Sequence, residues 1–358
     1  MSWFKKYLLP GFVFQSVLIG GGYGTGRELV EFFMTTGPSG GYLAMAVSTL
    51  VWSLVMMATY ELARMTGKYD YKSFLTVILG KGWIAYEILL VLVAFLVVSV
   101  MASAAGELAE ITIGIPPLIG SIVMMIIVVA IVFHGSKLIE KFFSIWSIAL
   151  YVIYIILIIL TWNVFSNEIK LTLTNPSEES AWFVNGVRYA GYNIAILPAL
   201  LYSVKYLETR NEAFTAGIFG GFIGMIPAAL IYTAMLAQYP EIVNEAIPSN
   251  FLLVQLNIPW FNAIFQVILF GTFVETGIGY IHGFNERIAT IYEGKGEQMP
   301  KYMRLVVAGV ILVTAVFLAN ALGLIGLIGE GYGMITWGFI AVYVIPVLTI
   351  GVYKIFKT

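Results

Sequence analysis

Near the start of the chain, Gly20-Gly21-Gly22-Tyr23-Gly24-Thr25-Gly26 holds five glycines in seven residues, and Arg27, Glu28 and Glu31 follow at once. Glycine backbone lets a ligand approach closely, and a carboxylate beside it can take an amine, a metal cation or a proton. A second chemical face lies far along the chain, where Thr272, Glu275 and Thr276 share one side of a helix by their i, i+3, i+4 spacing. A third stretch, Arg188-Tyr189-Ala190-Gly191-Tyr192-Asn193 followed by Pro198, combines aromatic, amide and helix-interrupting residues. Other chemistry is scarce. There is no cysteine, so disulfides, thiolate catalysis and cysteine-bound metals are excluded. The two histidines, His134 and His282, are far apart and lack metal-ligand neighbours, and no HExxH pattern occurs, which argues against an enzyme.

The elements that hold these residues are membrane spans. Hydrophobic residues make up 60% of the 358-residue chain, charged residues 11%, and mean hydropathy is +0.91. A soluble protein of this composition would expose large apolar patches. The net charge of −1 offers no attraction to nucleic acid. A helix crosses the bilayer core with roughly 20 apolar residues. By that measure spans are expected at 8–36, 41–65, 82–111, 116–134, 138–165, 182–203, 212–238, 259–285, 303–320 and 325–353. Lys5 and Lys6 before the first apolar run could mark a signal peptide, but no small-residue cleavage site follows, and a retained first helix is expected.

Ten spans put both termini on one side. With that side cytoplasmic, every basic residue except Lys170, Arg27 and Arg188 falls in an inside segment, as the positive-inside rule requires. Lys170 lies in the outside segment 166–181, which contains Asn175-Pro176-Ser177; a second outside segment covers 239–258. These could be lids over an outer vestibule or plain solvated loops.

Each mid-helix glycine costs about 1 kcal/mol relative to alanine, so a continuous helix through 20–26 is not expected. The alternative is a GxxxG-like packing face. A break near mid-membrane must be buried in protein or line a wet cavity. Thr25-Gly26-Arg27-Glu28 fits a capping box, with Thr25 as N-cap and Glu28 at the third helical position. In the sixth span Gly191 can end a helix and Asn193 can cap the next. Breaks in spans 1 and 6 divide the chain into halves 1–165 and 166–358, each with five spans. The expected fold is therefore all-α, ten spans in a 5+5 inverted repeat, with helices 1 and 6 broken at a midplane site.

Gly22-Tyr23-Gly24-Thr25-Gly26-Arg27-Glu28 with Glu31-Phe32-Phe33 resembles the LeuT-fold amino acid/polyamine/organocation superfamily and, within it, the YkvI-like membrane proteins classed as amino acid permeases. Ala104-Ala105-Gly106-Glu107, Tyr189-Ala190-Gly191-Tyr192-Asn193 and His282-Gly283-Phe284 support the resemblance more loosely, and it covers nearly the whole chain. It implies alternating access, a central site between spans 1, 3, 6 and 8, and ion coupling. The implied solute is an amino acid or related zwitterion, with a polyamine or quaternary amine as the alternative and a non-transporting sensor as another. Gly22, Tyr23, Gly24, Thr25, Gly26, Glu28, Glu107, Tyr189, Gly191, Tyr192 and Asn193 are the expected solute residues.

In such proteins hydroxyls of span 8 and carbonyls of span 1 form a sodium site. Thr272, Thr276 and the carbonyls of Leu18 and Gly21 could serve here, although the family's adjacent hydroxyls are missing. No lysine lies in span 5 between Lys141 and Trp162, so the lysine-based proton mechanism of some relatives is not supported. Glu275 could ligate Na+, carry H+, or be a strut paired with Arg188, because a bare charge at mid-bilayer is too costly. Glu28 could equally be a cap partner or a ligand for an amine. Arg27 could pair with Glu31 by i, i+4 spacing, or with Glu330 as an outer gate; Glu330 could also be a plain helix-end carboxylate. No cofactor beyond a coupling Na+ or H+ is expected. Single cysteines at Asn175 and Asn244 should be labelled by impermeant thiol reagents in intact cells; labelling only after lysis contradicts the topology.

Overall fold

The computed structural model describes residues 3–134, 136–175, 180–293 and 296–357, apart from the side chains of residues 134, 136–145, 147, 148, 290, 291, 293 and 301. Pro176, Ser177 and Lys295, and the side chains of His134, Lys137 and Lys141, lie outside the described residues. Among those described there is no strand. The helices in chain order are α1 (Trp3–Tyr7), α2 (Leu9–Leu18), α3 (Gly21–Gly24), α4 (Arg27–Phe32), α5 (Pro38–Thr66), α6 (Tyr71–Leu79), α7 (Trp83–Ile113) and α8 (Pro117–His134). There follow α9 (Ser136–Thr174), α10 (Trp182–Ile194), α11 (Arg210–Met235), α12 (Pro248–Leu256), α13 (Pro259–Glu293), α14 (Lys301–Gly326), α15 (Gly333–Phe339) and α16 (Val352–Lys357). The stretches Leu327–Tyr332, Ile340–Val344 and Val347–Gly351 are π-helical, so the last span alternates between α and π turns.

Six helical stretches among the described residues are long and apolar enough to cross a membrane, and Leu9–Leu18 and Pro117–Phe133 are shorter apolar helices. The stretch Tyr302–Lys357 has 56 residues. At 1.5 Å per residue that is far more than one crossing needs, and Gly323 (φ 66°, ψ 173°) divides it. This is a polytopic membrane protein.

The segments between spans are more ordered than their composition suggests. α9 runs on through the expected outside segment to Thr174 after a kink at Phe165 (φ −118°, ψ 23°). Segment 239–258 holds a 3-10 turn, Glu241–Asn244, and α12. α6 is capped by Asp70, whose carboxylate accepts from Ser73 N at 2.8 Å. Lys6 reaches Glu212 and Glu208 at 2.8 and 3.1 Å, and the two carboxylates hold its ammonium above the usual lysine range.

Glycines set the helix spacing. α5 packs between α10 and α11. Ser48 Oγ donates to Gly186 O at 2.7 Å and Trp52 Nε1 to Ala190 O at 3.1 Å. A Cβ on Gly217 would lie 2.6 Å from Met57 N, and one on Gly221 would meet Ser53 Oγ and Thr49 O, so the α5 and α11 backbones touch directly. Without a hydrophobic drive between helices in lipid, such contacts carry the association. At one end of this pair Glu61, fully buried, is held by Arg64 at 2.7 and 2.8 Å and by Arg210 at 3.2 Å, and Arg210 also donates to Ile355 O. Gly217→Val should cost about 1–3 kcal/mol through overpacking and lower the apparent Tm in detergent by about 5 °C. Gly309→Ala, where a Cβ meets nothing within 4 Å, should leave Tm unchanged or raise it; equal Tm for both variants contradicts the direct backbone contact.

Candidate functional site

Helical geometry stops after Leu18. Ile19 has ψ 75° and Gly20 is extended (φ −105°, ψ −170°), with Gly20 N donating back to Leu18 O at 2.8 Å. A single turn, α3, follows, and Gly26 adopts a left-handed conformation (φ 78°) that glycine allows without strain before α4 begins. The expected capping box does not form. Gly26 is the N-cap of α4; the Thr25 hydroxyl donates to Gly22 O at 2.8 Å and accepts from Arg27 N at 3.2 Å. Glu28 turns away from Thr25 because a better donor exists: its Oε2 accepts from the Tyr192 hydroxyl. A Cβ on Gly22 would collide with the Glu28 carboxylate, so the glycine makes room for that acid.

The expected break at Gly191 also differs. α10 runs unbroken through Gly191 and Asn193 to Ile194 and then tightens into a 3-10 helix, Leu197–Val204, with Pro198 in its first turn. Asn193 caps no new helix; its amide donates to Tyr189 O at 3.1 Å. Gly191 instead permits close packing, because a Cβ there would sit 2.8 Å from Thr336 and 2.9 Å from Ile340.

A cavity of about 70 Å³ lies at the span 1 interruption. Its walls are Val17, Leu18 and Gly20–Gly22 from span 1, Glu28 from α4, and Leu90, Val93, Val97 and Met101 from α7. Tyr192, Asn193, Ala195 and Ile196 come from span 6, Thr276 and Tyr280 from α13, and Tyr332 from the last span. Tyr192 stacks on Tyr332 with ring centroids 4.7 Å apart and on Phe32 at 5.6 Å. The site is thus an aromatic, largely apolar chamber with one buried carboxylate, Glu28, 6% exposed. Such a chamber with few polar groups is the usual form of a small-molecule site.

Of the expected solute residues, Gly22, Glu28, Tyr192 and Asn193 line this cavity. The other glycine-run residues, Tyr23, Gly24, Thr25 and Gly26, are buried but are not part of its wall. Gly24 faces Leu269 and Tyr154, and Tyr189 packs edge-on to Phe33 at 4.5 Å. Glu107 belongs elsewhere. It lines a second cavity of about 180 Å³ with Ser103, Pro117, Ser121, Asn320 and Gly323. Of the expected ion residues, Leu18, Gly21 and Thr276 reach the central cavity, whereas Thr272 and Glu275 do not. Thr272 Oγ1 donates to Ile268 O and Thr276 Oγ1 to Thr272 O, both at 2.9 Å. Arg188, the suggested strut partner of Glu275, donates instead to Gly329 O at 3.1 Å and to Asn185 Oδ1 at 3.4 Å. Sequence reasoning did not find Met101, Tyr280 or Tyr332. Tyr280 could have been found, since it lies one turn beyond Thr276 on the same face. Nothing in the span 10 pattern singles out Tyr332.

The opposite side of the interruption is closed. Arg27, 4% exposed, donates to Val243 O at 2.8 Å and Glu245 O at 3.0 Å and pairs with Glu31 at 3.2 Å. The expected Arg27–Glu330 gate is absent: Arg27 is bound to loop carbonyls and to Glu31 of its own helix, and Glu330 is exposed. Ser249 N adds a bond to Thr25 O at 2.9 Å, so segment 239–258 sits directly over the interruption.

Comparison with known proteins bears on the fold. No family model matches the chain. It is 23% identical over 336 residues, 92% of either chain, to the uncharacterized membrane protein YkvI of Bacillus subtilis (strain 168). Its fold is shared with MhsT in complex with L-phenylalanine (TM-score 0.58, 14% identity, 99% of this chain and 97% of that one). It is also shared with a manganese transporter of Eremococcus coleocola (0.56, 15%, 96% and 78%) and with Mhp1 in an inward-facing conformation (0.53, 15%, 93% and 75%). The chain therefore has the LeuT fold, which in these solved structures serves transporters and not enzymes.

Charge-assisted hydrogen bonds contribute about 1.5–3 kcal/mol each. Arg27→Gln should therefore accelerate backbone hydrogen exchange across residues 241–256 by roughly 10–100-fold. Unchanged exchange there would mean that Arg27 does not hold the loop.

Proposed function

We propose that this protein is a secondary active transporter that moves a small ammonium-bearing solute through the cavity at the span 1 interruption. The observation that carries the reading is the single buried carboxylate, Glu28, in an aromatic chamber built from spans 1, 3, 6, 8 and 10. An ammonium meets a counter-charge at Glu28 and the aromatic rings of Tyr280 and Tyr332 in the cavity wall, which attract cations. Amino acids are one such class, and the shared fold of the L-phenylalanine-bound MhsT supports them. Simple amines are the second, favoured by a site whose one charged side chain is an acid.

The reading includes ten spans, both termini cytoplasmic, and two inverted halves, 1–165 and 166–358. With that orientation Val17, Leu18, Leu90, Val93, Ala195 and Ile196 of the cavity wall come from the cytoplasmic halves of spans 1, 3 and 6, Glu28 and Met101 lie beyond the span midpoints, and Arg27 with segment 239–258 closes the outer side. This is an inward-facing form in an alternating-access cycle driven by cation coupling, to Na+ or H+. Leu18, Gly21 and Thr276 are the cavity residues available to a coupling Na+.

Thermal-shift measurements with L-phenylalanine, phenethylamine and hydrocinnamate test the ammonium requirement. A ligand at 100 times its Kd stabilises by about 2.7 kcal/mol. Phenethylamine, or both ammonium compounds, should raise Tm and the carboxylate alone should not; a shift with hydrocinnamate alone rejects the reading. Flux of the stabilising compound in proteoliposomes distinguishes transport from sensing.

A further inference from the structure

We infer that Glu28 is one exchange site at which a proton and the ammonium of the solute replace each other, making the protein an amine/proton exchanger. This rests on the central site proposed above and adds its coupling logic.

Glu28 is 6% exposed and lies within a span. The ionisable groups near it are phenols: Tyr23 from α3, Tyr189 and Tyr192 from α10, Tyr280 from α13 and Tyr332 from the last span. α2 and α7 present Val17, Leu18, Val97 and Met101. The arginines of the region are engaged elsewhere. Arg27, next to Glu28 in sequence, is turned to Val243 O, Glu245 O and Glu31, and Arg188 to Gly329 O and Asn185. Among the described residues no lysine, arginine or histidine forms an ion pair with Glu28.

A bare carboxylate in that setting costs at least a few kcal/mol, and the Tyr192 hydroxyl offsets only part of it. The site is stable with one positive charge added. A proton on Oε1 satisfies it while Tyr192 still donates to Oε2. An ammonium in the cavity satisfies it too. Both together leave an unpaired cation in an apolar chamber, and neither leaves an unpaired anion. Each species therefore displaces the other. The balanced step is protonated Glu28 plus an ammonium ion giving the carboxylate–ammonium pair plus a proton released to the open side. The only covalent change is loss of the carboxyl O–H bond. The carrier then changes sides only with Glu28 neutralised, by proton in one direction and by solute in the other. Any Na+ at Thr276 is dispensable for this cycle.

The test is a proton-release titration on the purified full chain in detergent, in weak buffer with a pH dye. The probe is methylammonium chloride, small enough for the cavity, against sodium chloride at equal ionic strength; bound radiolabelled methylammonium is measured in parallel. One proton released per methylammonium bound is expected, with release and binding both lost in Glu28→Gln and release retained in Glu28→Asp. If Glu28→Gln is not monodisperse, the wild-type release-to-binding ratio decides alone. Binding without release overturns the exchange and leaves the central site standing. Release that persists in a folded Glu28→Gln overturns the assignment to Glu28. Equal release by sodium chloride overturns the amine as the exchanged cation. No methylammonium binding overturns the central site and the exchange with it.

Discussion

Inside a bilayer no water is available to a backbone group that has lost its helical partner, and an unsatisfied one costs several kcal/mol. The interruption at Ile19 and Gly20 imposes this constraint on the whole molecule, because other parts of the chain must come to it. Tyr154 from α9 donates to Gly24 O at 3.0 Å, and Ser249 N at the start of α12 donates to Thr25 O. Thr25 serves twice, donating to Gly22 O and accepting from Arg27 N. Elements distant in sequence are thereby fixed around one non-helical turn. Relaxing that turn into a regular helix would free these partners and close the cavity wall that Gly20–Gly22 provide.

The same scarcity of water sorts the charges. Glu61 is fully buried but has two arginines, so its charge is compensated in place. Arg27 is compensated by carbonyls and by Glu31. Breaking such pairs is costly because the remaining charge stays buried, which makes them structural ties. Glu28 differs in having a hydroxyl donor and, among the described residues, no ion pair with a basic side chain. A charge whose compensation is left open is where a ligand or a proton can enter the energy balance. That distinction, more than the number of intramembrane carboxylates, separates a binding group from a strut.

Glycine contributes in two distinct ways. Gly26 supplies a left-handed backbone at the entry to α4, whereas Gly22 supplies space for the folded-back Glu28 carboxylate. A glycine run in a sequence announces a departure from ordinary helix but does not say which of these roles each position plays. Gly191 shows the converse: it looks like a breaker and is a packing contact against Thr336 and Ile340.

The membrane class, the interruption after Leu18 and the pairing of Arg27 with Glu31 were legible in the sequence. Hydropathy, glycine content and i, i+4 spacing are local properties that a bilayer converts directly into structure. The choice among carboxylates was not. Read along the chain, Glu275 is the better functional candidate, ahead of Glu28 and Glu107. The packing of α7, α10 and α13 around the interruption brings Glu28 to the central cavity, sends Glu107 to a second cavity, and leaves Glu275 off the central wall. Tyr332 joins Tyr192 across 140 residues for the same reason. A local pattern determines which face of a helix is apolar or polar. Which faces meet depends on close contacts such as Gly217 against Met57 and Gly106 against Pro117, and those exist only once the helices have packed.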